Sequence, residues 1–106
     1  MSTNLTEQEF SKHVGTQFKV ALAESEINLT LVEAKAYMPG ENEQDGMERF
    51  SVFFDGPADL LLPTQTYLIR HEQMGEFDLF LGAISGDAKH IRYEAVFNYY
   101  KENSDE

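Results

Sequence analysis

The chain has 106 residues, is 42% hydrophobic and 25% charged, and carries a formal net charge of −11 from 19 acidic and 8 basic side chains. That length predicts one domain, with a core that needs no metal or disulfide staple, while the acidic excess repels phosphate backbones and anionic lipid, so neither nucleic acid nor a membrane is an expected partner. With no cysteine, no apolar run of bilayer length and a polar start in MSTNLTEQEF, there is no thiolate chemistry, no membrane-spanning helix and no secretory signal to expect, and the cytoplasm is the default location.

Thr6-Glu7-Gln8-Glu9 has the spacing of a capping box, in which the threonine hydroxyl accepts from the Glu9 amide. It predicts a short helix over 6–13, stopped by Gly15, with Leu5 and Phe10 stapling its first turn. So few apolar residues make such a helix a plug on something larger. From 16 to 22, Phe18, Val20 and Leu22 alternate with Gln17, Lys19 and Ala21, the period of a half-buried strand. After a polar turn over 23–26, Ile27, Leu29 and Leu31 alternate with Asn28, Thr30 and Val32 and predict a second strand that runs on toward Met38. A helix over 24–36 is rejected, because Ile-Asn-Leu-Thr-Leu-Val is rich in branched side chains and mostly alternating. Residues 39–46 combine turn dipeptides with Glu41, Glu43 and Asp45 and predict an exposed loop.

The third strand is predicted over 49–55, with Phe50, Val52 and Phe54 on one face and Ser51, Phe53 and Asp55 on the other. Gly56-Pro57 is expected to end it, the glycine by taking positive φ and the proline by lacking an N–H. Leu60-Leu61-Leu62-Pro63 is an apolar connection that closes one end of the core. A fourth strand over 66–71 turns through Glu72–Gly75 into a fifth over 76–84, where Phe77, Leu79 and Leu81 alternate with Asp78, Phe80 and Gly82. Ser85–Lys89 is a hairpin loop. Ile91, Tyr93, Ala95 and Phe97 line a sixth strand, and 99–106 form a polar tail beyond an ordered core over about 6–98. Six strands with short connections leave no room for a crossover helix, so the fold class is all-β and antiparallel. Aromatic residues on both strand faces call for cover on both. A small six-stranded barrel with the N-terminal helix over one mouth provides it, and a two-sheet β-sandwich is the alternative.

Little in the sequence points to chemistry. His13, His71 and His90 show no metal-ligand spacing and each adjoins a turn or an element end, so solvent-facing or terminal histidines are expected, with no metal. Ser51, Ser85 and His71 could supply parts of a hydrolytic triad, but no G-x-S-x-G elbow presents a nucleophile. The carboxylate pairs Glu72 with Glu76 and Asp78 with Glu94 fit surface charge better than acid–base work. No glycine-rich phosphate loop is present, so no cofactor is expected and the chain is predicted not to be an enzyme. Tyr93, Phe97, Tyr99 and Tyr100 form an aromatic cluster whose first expectation is core and rim packing. Tyr99 and Tyr100, together with Glu41, Glu43 and Asp45, are the residues assigned to a protein partner, and exposure of both tyrosines would allow a homo-oligomer. A structural or protein-interaction module is the primary expectation. A small-molecule binder or enzyme with a pocket at the barrel mouth is the alternative.

The ordered blocks Phe10…His13-Val14-Gly15…Phe18, Phe50-Ser51-Val52-Phe53-Phe54…Gly56-Pro57, Leu62-Pro63…Thr66-Tyr67, His71…Gly75…Leu79-Phe80-Leu81 and Tyr93-Glu94-Ala95-Val96-Phe97-Asn98 resemble a family of small bacterial domains of unknown function, over about residues 8–98. The resemblance brings no reaction, cofactor or catalytic residue with it. It implies at most a structural or accessory role, for which a phage-tail-like assembly is the setting it suggests. Gly82-Ala83 departs from the pattern, where a bulkier pair is expected, and leaves the fifth strand the least determined.

Overall fold

The computed structural model of the chain describes residues 5–37 and 46–100. Period-two alternation resolves into six strands closed on themselves. A short helix α1 (Glu7–Ser11) precedes β1 (Gln17–Ala21), β2 (Glu26–Ala36), β3 (Met47–Pro57), β4 (Gln65–His71), β5 (Gly75–Gly86) and β6 (His90–Tyr100). The barrel order is β1-β2-β3-β6-β5-β4, and every pairing is antiparallel. Two meanders, β1–β2–β3 and β4–β5–β6, therefore meet along two seams. The β3–β6 seam is long, from Met47 opposite Tyr100 to Pro57 opposite His90. The β1–β4 seam is short, with Lys19 opposite Arg70 and Val20 opposite Ile69. Closure, not a sandwich, is how the chain covers its strand edges.

Inward positions are filled by Phe18 and Val20 from β1, Leu29 and Leu31 from β2, Phe50, Val52 and Phe54 from β3, Tyr67 and Ile69 from β4, Leu79 and Leu81 from β5, and Tyr93 and Ala95 from β6, all buried. Two of the alternations slip by one residue, and a bulge absorbs each slip. In β2 the register shifts between Leu31 and Glu33. Without it, the charged Glu33 and Lys35 would follow Leu31 into the core. With it they face solvent, and Ala34 and Ala36 pack against the core instead. In β5 the shift falls between Ala83 and Ser85, next to the Gly82-Ala83 pair, and leaves Ile84 exposed.

Both mouths are sealed. Thr6 caps α1, its hydroxyl accepting from the Glu9 amide at 3.0 Å, and Gly15 (φ 91°) turns the chain into β1. This places Phe10 wholly inside the barrel, its ring 5.6–6.2 Å from those of Phe18, Phe50, Phe77 and Phe97. Phe50 and Phe97 stack beneath it, parallel within 5° and 4.4 Å apart. At the far end the β3–β4 connection crosses over the barrel. Leu62 drops into the core while Leu60 and Leu61 stay exposed. The buried Tyr93 hydroxyl holds that crossing, accepting from the Leu62 amide at 3.0 Å and donating to the Leu60 carbonyl at 3.3 Å. Tyr67 donates to the Pro63 carbonyl at 2.5 Å, and burial pushes its phenol up from the ordinary value, with Tyr93 adding to the shift.

Two strand ends run past the sequence expectation at sites that matter for the packing. β3 runs through Gly56-Pro57, because its pairing with β2 ends at Asp55 while the β6 pairing continues. Gly56 is there for space: a β-carbon on it would lie 2.6 Å from a Leu29 methyl and 3.2 Å from the Tyr93 ring. β6 runs to Tyr100 rather than ending at Asn98, because Glu48 and Met47 pair with Tyr99 and Tyr100. The predicted loop over 39–46 falls outside the described residues, apart from Gly46 (φ 71°).

Phe54→Ala should lower stability by about 3–5 kcal/mol through the cavity it leaves. Gly56→Ala should cost about 1–3 kcal/mol through overpacking. Thermal or urea melts read both, and an unchanged midpoint for either variant would contradict this packing.

Candidate functional site

Three places on the barrel concentrate polar or unpartnered groups. The first lies beside the plug, where β4 ends. His71 is 9% exposed, and its Nδ1 accepts from the backbone amides of Gln73 and Met74 at 3.0 and 3.1 Å, closing the β4–β5 turn. Its Nε2 lies 2.9 Å from the Thr16 hydroxyl. Thr16 donates to the His13 carbonyl at 2.6 Å, so it is left to accept from an Nε2–H. One neutral tautomer of His71 satisfies every contact. The buried His13 ring lies 4.7 Å from it, and the Phe18 ring 4.2 Å. Burial, reinforced by His13, holds the His71 imidazole below its ordinary pKa, against a smaller upward pull from Glu72. His13 and His71 are terminal, as the sequence suggested, but not solvent-facing, because the plug folds those element ends inward. Spacing could not reveal a pair 58 residues apart in sequence. His90 is exposed.

The second place is a polar crevice of about 260 Å³ at the opposite end, lined by Asp55, Ser85, Gly86, Asp87, His90 and Arg92. Its charges close on one another. Arg92 grips Asp55 through two hydrogen bonds, Nε to Oδ1 at 2.7 Å and Nη2 to Oδ2 at 3.0 Å. That hydrogen bonding holds the Asp55 carboxyl below the ordinary aspartate value against the opposing effect of burial. Asp87 folds its Oδ1 onto the amides of Lys89 and His90, both at 2.8 Å, a turn-forming role that also lowers its pKa.

The third is the outer wall. Ser51 points outward yet is fully buried, because Tyr37 covers it. The Tyr37 hydroxyl donates to Ser51 Oγ at 2.7 Å, and Ser51 donates to Glu94 Oε2 at 2.7 Å. A serine shut beneath a tyrosine has no open approach for a substrate. Beside this relay, Phe80 and Val96 are 60% and 66% exposed on the neighbouring strands β5 and β6.

Of the other residues named from sequence, Ser51 on β3 lies opposite Val96 and Ser85 on β5 lies opposite Arg92, so they flank β6 at different levels, and neither bonds His71 among the described contacts. Glu76 pairs with Arg70 at 2.8 Å across the hairpin. Tyr99 is half-buried and its hydroxyl donates to the Leu5 carbonyl, tying the start of α1 to β6. Tyr100 is paired through its backbone with Met47, and Glu41, Glu43 and Asp45 lie outside the described residues. Among the described residues no group of three or more histidine or acidic side chains is placed to hold a metal ion.

A family model described as a domain of unknown function, DUF6916, matches residues 5–97. The chain belongs to the DUF6916 family. Neither a curated protein nor a solved structure matches it. The matched span takes in α1 and nearly all of the six strands, so the plug helix is part of the DUF6916 domain in this chain.

The Asp55–Arg92 pair gives a direct check. The Asp55 side-chain carbon should titrate by NMR below the ordinary aspartate range in the native protein and move up in Arg92→Gln. The contribution to stability is present above the ordinary aspartate pKa and is lost as pH falls through the lowered one. An Asp55 midpoint indifferent to the substitution would contradict the pairing.

Proposed function

We propose that this domain is a non-enzymatic protein-interaction module whose β5–β6 outer wall receives a basic, amphipathic segment of another protein. The exposure of Phe80 and Val96 carries the reading, because a barrel closed on itself gains nothing from large apolar side chains on its outside. Across the hairpin Thr66 faces Phe80 and Leu68 faces Asp78, which extends the apolar surface with the half-buried Leu68. The patch is flanked by acids. Asp78 is exposed and has no ion-pair partner among the described residues, and Glu94 is held in place by Ser51. A net charge of −11 favours a cationic partner and disfavours a second copy of the chain, whose like charges would be brought together. The narrower setting, an accessory place in a phage-tail-like assembly, would put this wall against a neighbouring subunit. Catalysis is less well supported, since the interior is filled with side chains and both mouths are stoppered by Phe10 and Leu62.

A panel of synthetic amphipathic peptides tests it, lysine- and arginine-rich against glutamate-rich with the same apolar anchors. Amide shifts in labelled protein should move over 78–84 and 94–98 with the basic peptides only, weaken with salt, and fade about tenfold or more in Phe80→Ser, which keeps its fold. Shifts elsewhere, or none with any peptide, would contradict the assignment.

A further inference from the structure

The contacts of His71 have a consequence for the plug. The Gln73 and Met74 amides both point at Nδ1, so that nitrogen must carry a lone pair for the β4–β5 turn to close. A proton there would set an N–H against two N–H donors, in a site that is 9% exposed and offers little water to replace the lost bonds. The same ring is joined to α1 and its exit turn. Its Nε2 meets Thr16, Thr16 holds the His13 carbonyl, and the His13 amide donates to the Phe10 carbonyl at 2.9 Å.

We propose that the β4–β5 turn and α1 form an acid-released latch, in which protonation of His71 opens the turn and loosens the Phe10 plug at that mouth of the barrel.

The charged and titratable groups around the latch are few. From α1 and its exit turn come His13 and Glu9, whose carboxylate lies 3.7 Å from His13 Nε2 and 3.5 Å from Lys12 Nζ. From the β4–β5 turn comes Glu72, which favours the charged imidazole, and it is outweighed by burial and by His13. β1 presents the uncharged Phe18 ring. Its Lys19 reaches Glu26, and Arg70 of β4 reaches Glu76, both pairs on the outer wall. No carboxylate bonds His71 directly among the described contacts, so a proton arriving there finds no counter-ion in the closed state. The open state takes up that proton more readily. Closure is therefore fully favoured above the ordinary histidine pKa and weakens as pH falls toward the lowered value.

Amide hydrogen exchange, corrected for the intrinsic pH dependence, reads the latch in the intact chain between pH 7.5 and 4.5. Protection over 7–16 and 71–75 should fall by up to about tenfold per pH unit below about 6.5, while protection over 50–54 holds. His71→Asn supplies an amide oxygen in place of Nδ1 and does not titrate, so its protection should stay flat. His13→Gln removes the neighbour that opposes the charge on His71, so the fall should be smaller and level off at higher pH. Should His71→Asn not fold, imidazole nitrogen shifts in the native protein decide the matter. The His71 midpoint should coincide with the loss of protection at Gln73 and Met74, and the neutral ring should carry its proton on Nε2. Protection that is unchanged through the His71 titration, an equal fall in folded His71→Asn, or a protonated Nδ1 with the turn intact would overturn the latch.

Discussion

A six-stranded barrel has an inside that only its own side chains can fill, and that constraint governs this chain. Each strand must present large residues at alternate positions, in phase with its neighbours, along its paired length. Where the sequence breaks phase, at Val32 and at Ile84, the backbone bulges rather than sending a charge inward or losing its pairing. Where the interior is too tight for any side chain, the sequence has Gly56 between Leu29 and Tyr93. The ends pose the same problem, since a short barrel leaves much of its core near an opening. Phe10 and Leu62 solve it from opposite sides.

The stoppers are held by polar contacts, and these account for most of the buried hydrogen bonding between side chains and backbone. Tyr93 fixes the Leu60–Leu62 crossing, Tyr99 ties Leu5 to β6, and His71 joins a hairpin turn to the exit of α1. No buried side-chain donor or acceptor among the described residues lacks a partner. Most of the residues that looked like chemistry in isolation, His13, His71 and Ser51, are therefore engaged in the architecture. Exposed apolar and acidic groups come together on the outer wall, around Phe80, Val96 and Asp78.

Much of the fold was legible in the sequence because alternation is a local signal. Phe18-Lys19-Val20 and Phe50-Ser51-Val52-Phe53-Phe54 each declare their period within a few residues, and Thr6-x-x-Glu9 declares the start of α1. The end of β3 was misplaced because a proline forbids only one of a strand's two sets of bonds, and which set is needed depends on the neighbour. The His13–His71 pair was not legible. It arises from a turn and a helix end separated by 58 positions, brought together only by closure of β1 against β4. The outer patch was hidden for a related reason. Phe80 alternates with Leu79 and Leu81, and only the position of β5 in the barrel shows which of these faces solvent.

The plug, the filled interior and the latch all require Phe10 to sit inside the barrel. Nuclear Overhauser contacts from its ring protons test this most directly. They should reach the rings of Phe18, Phe50, Phe77 and Phe97 together, from four different strands. A Phe10 ring with no contacts beyond its own helix would contradict the account at its base.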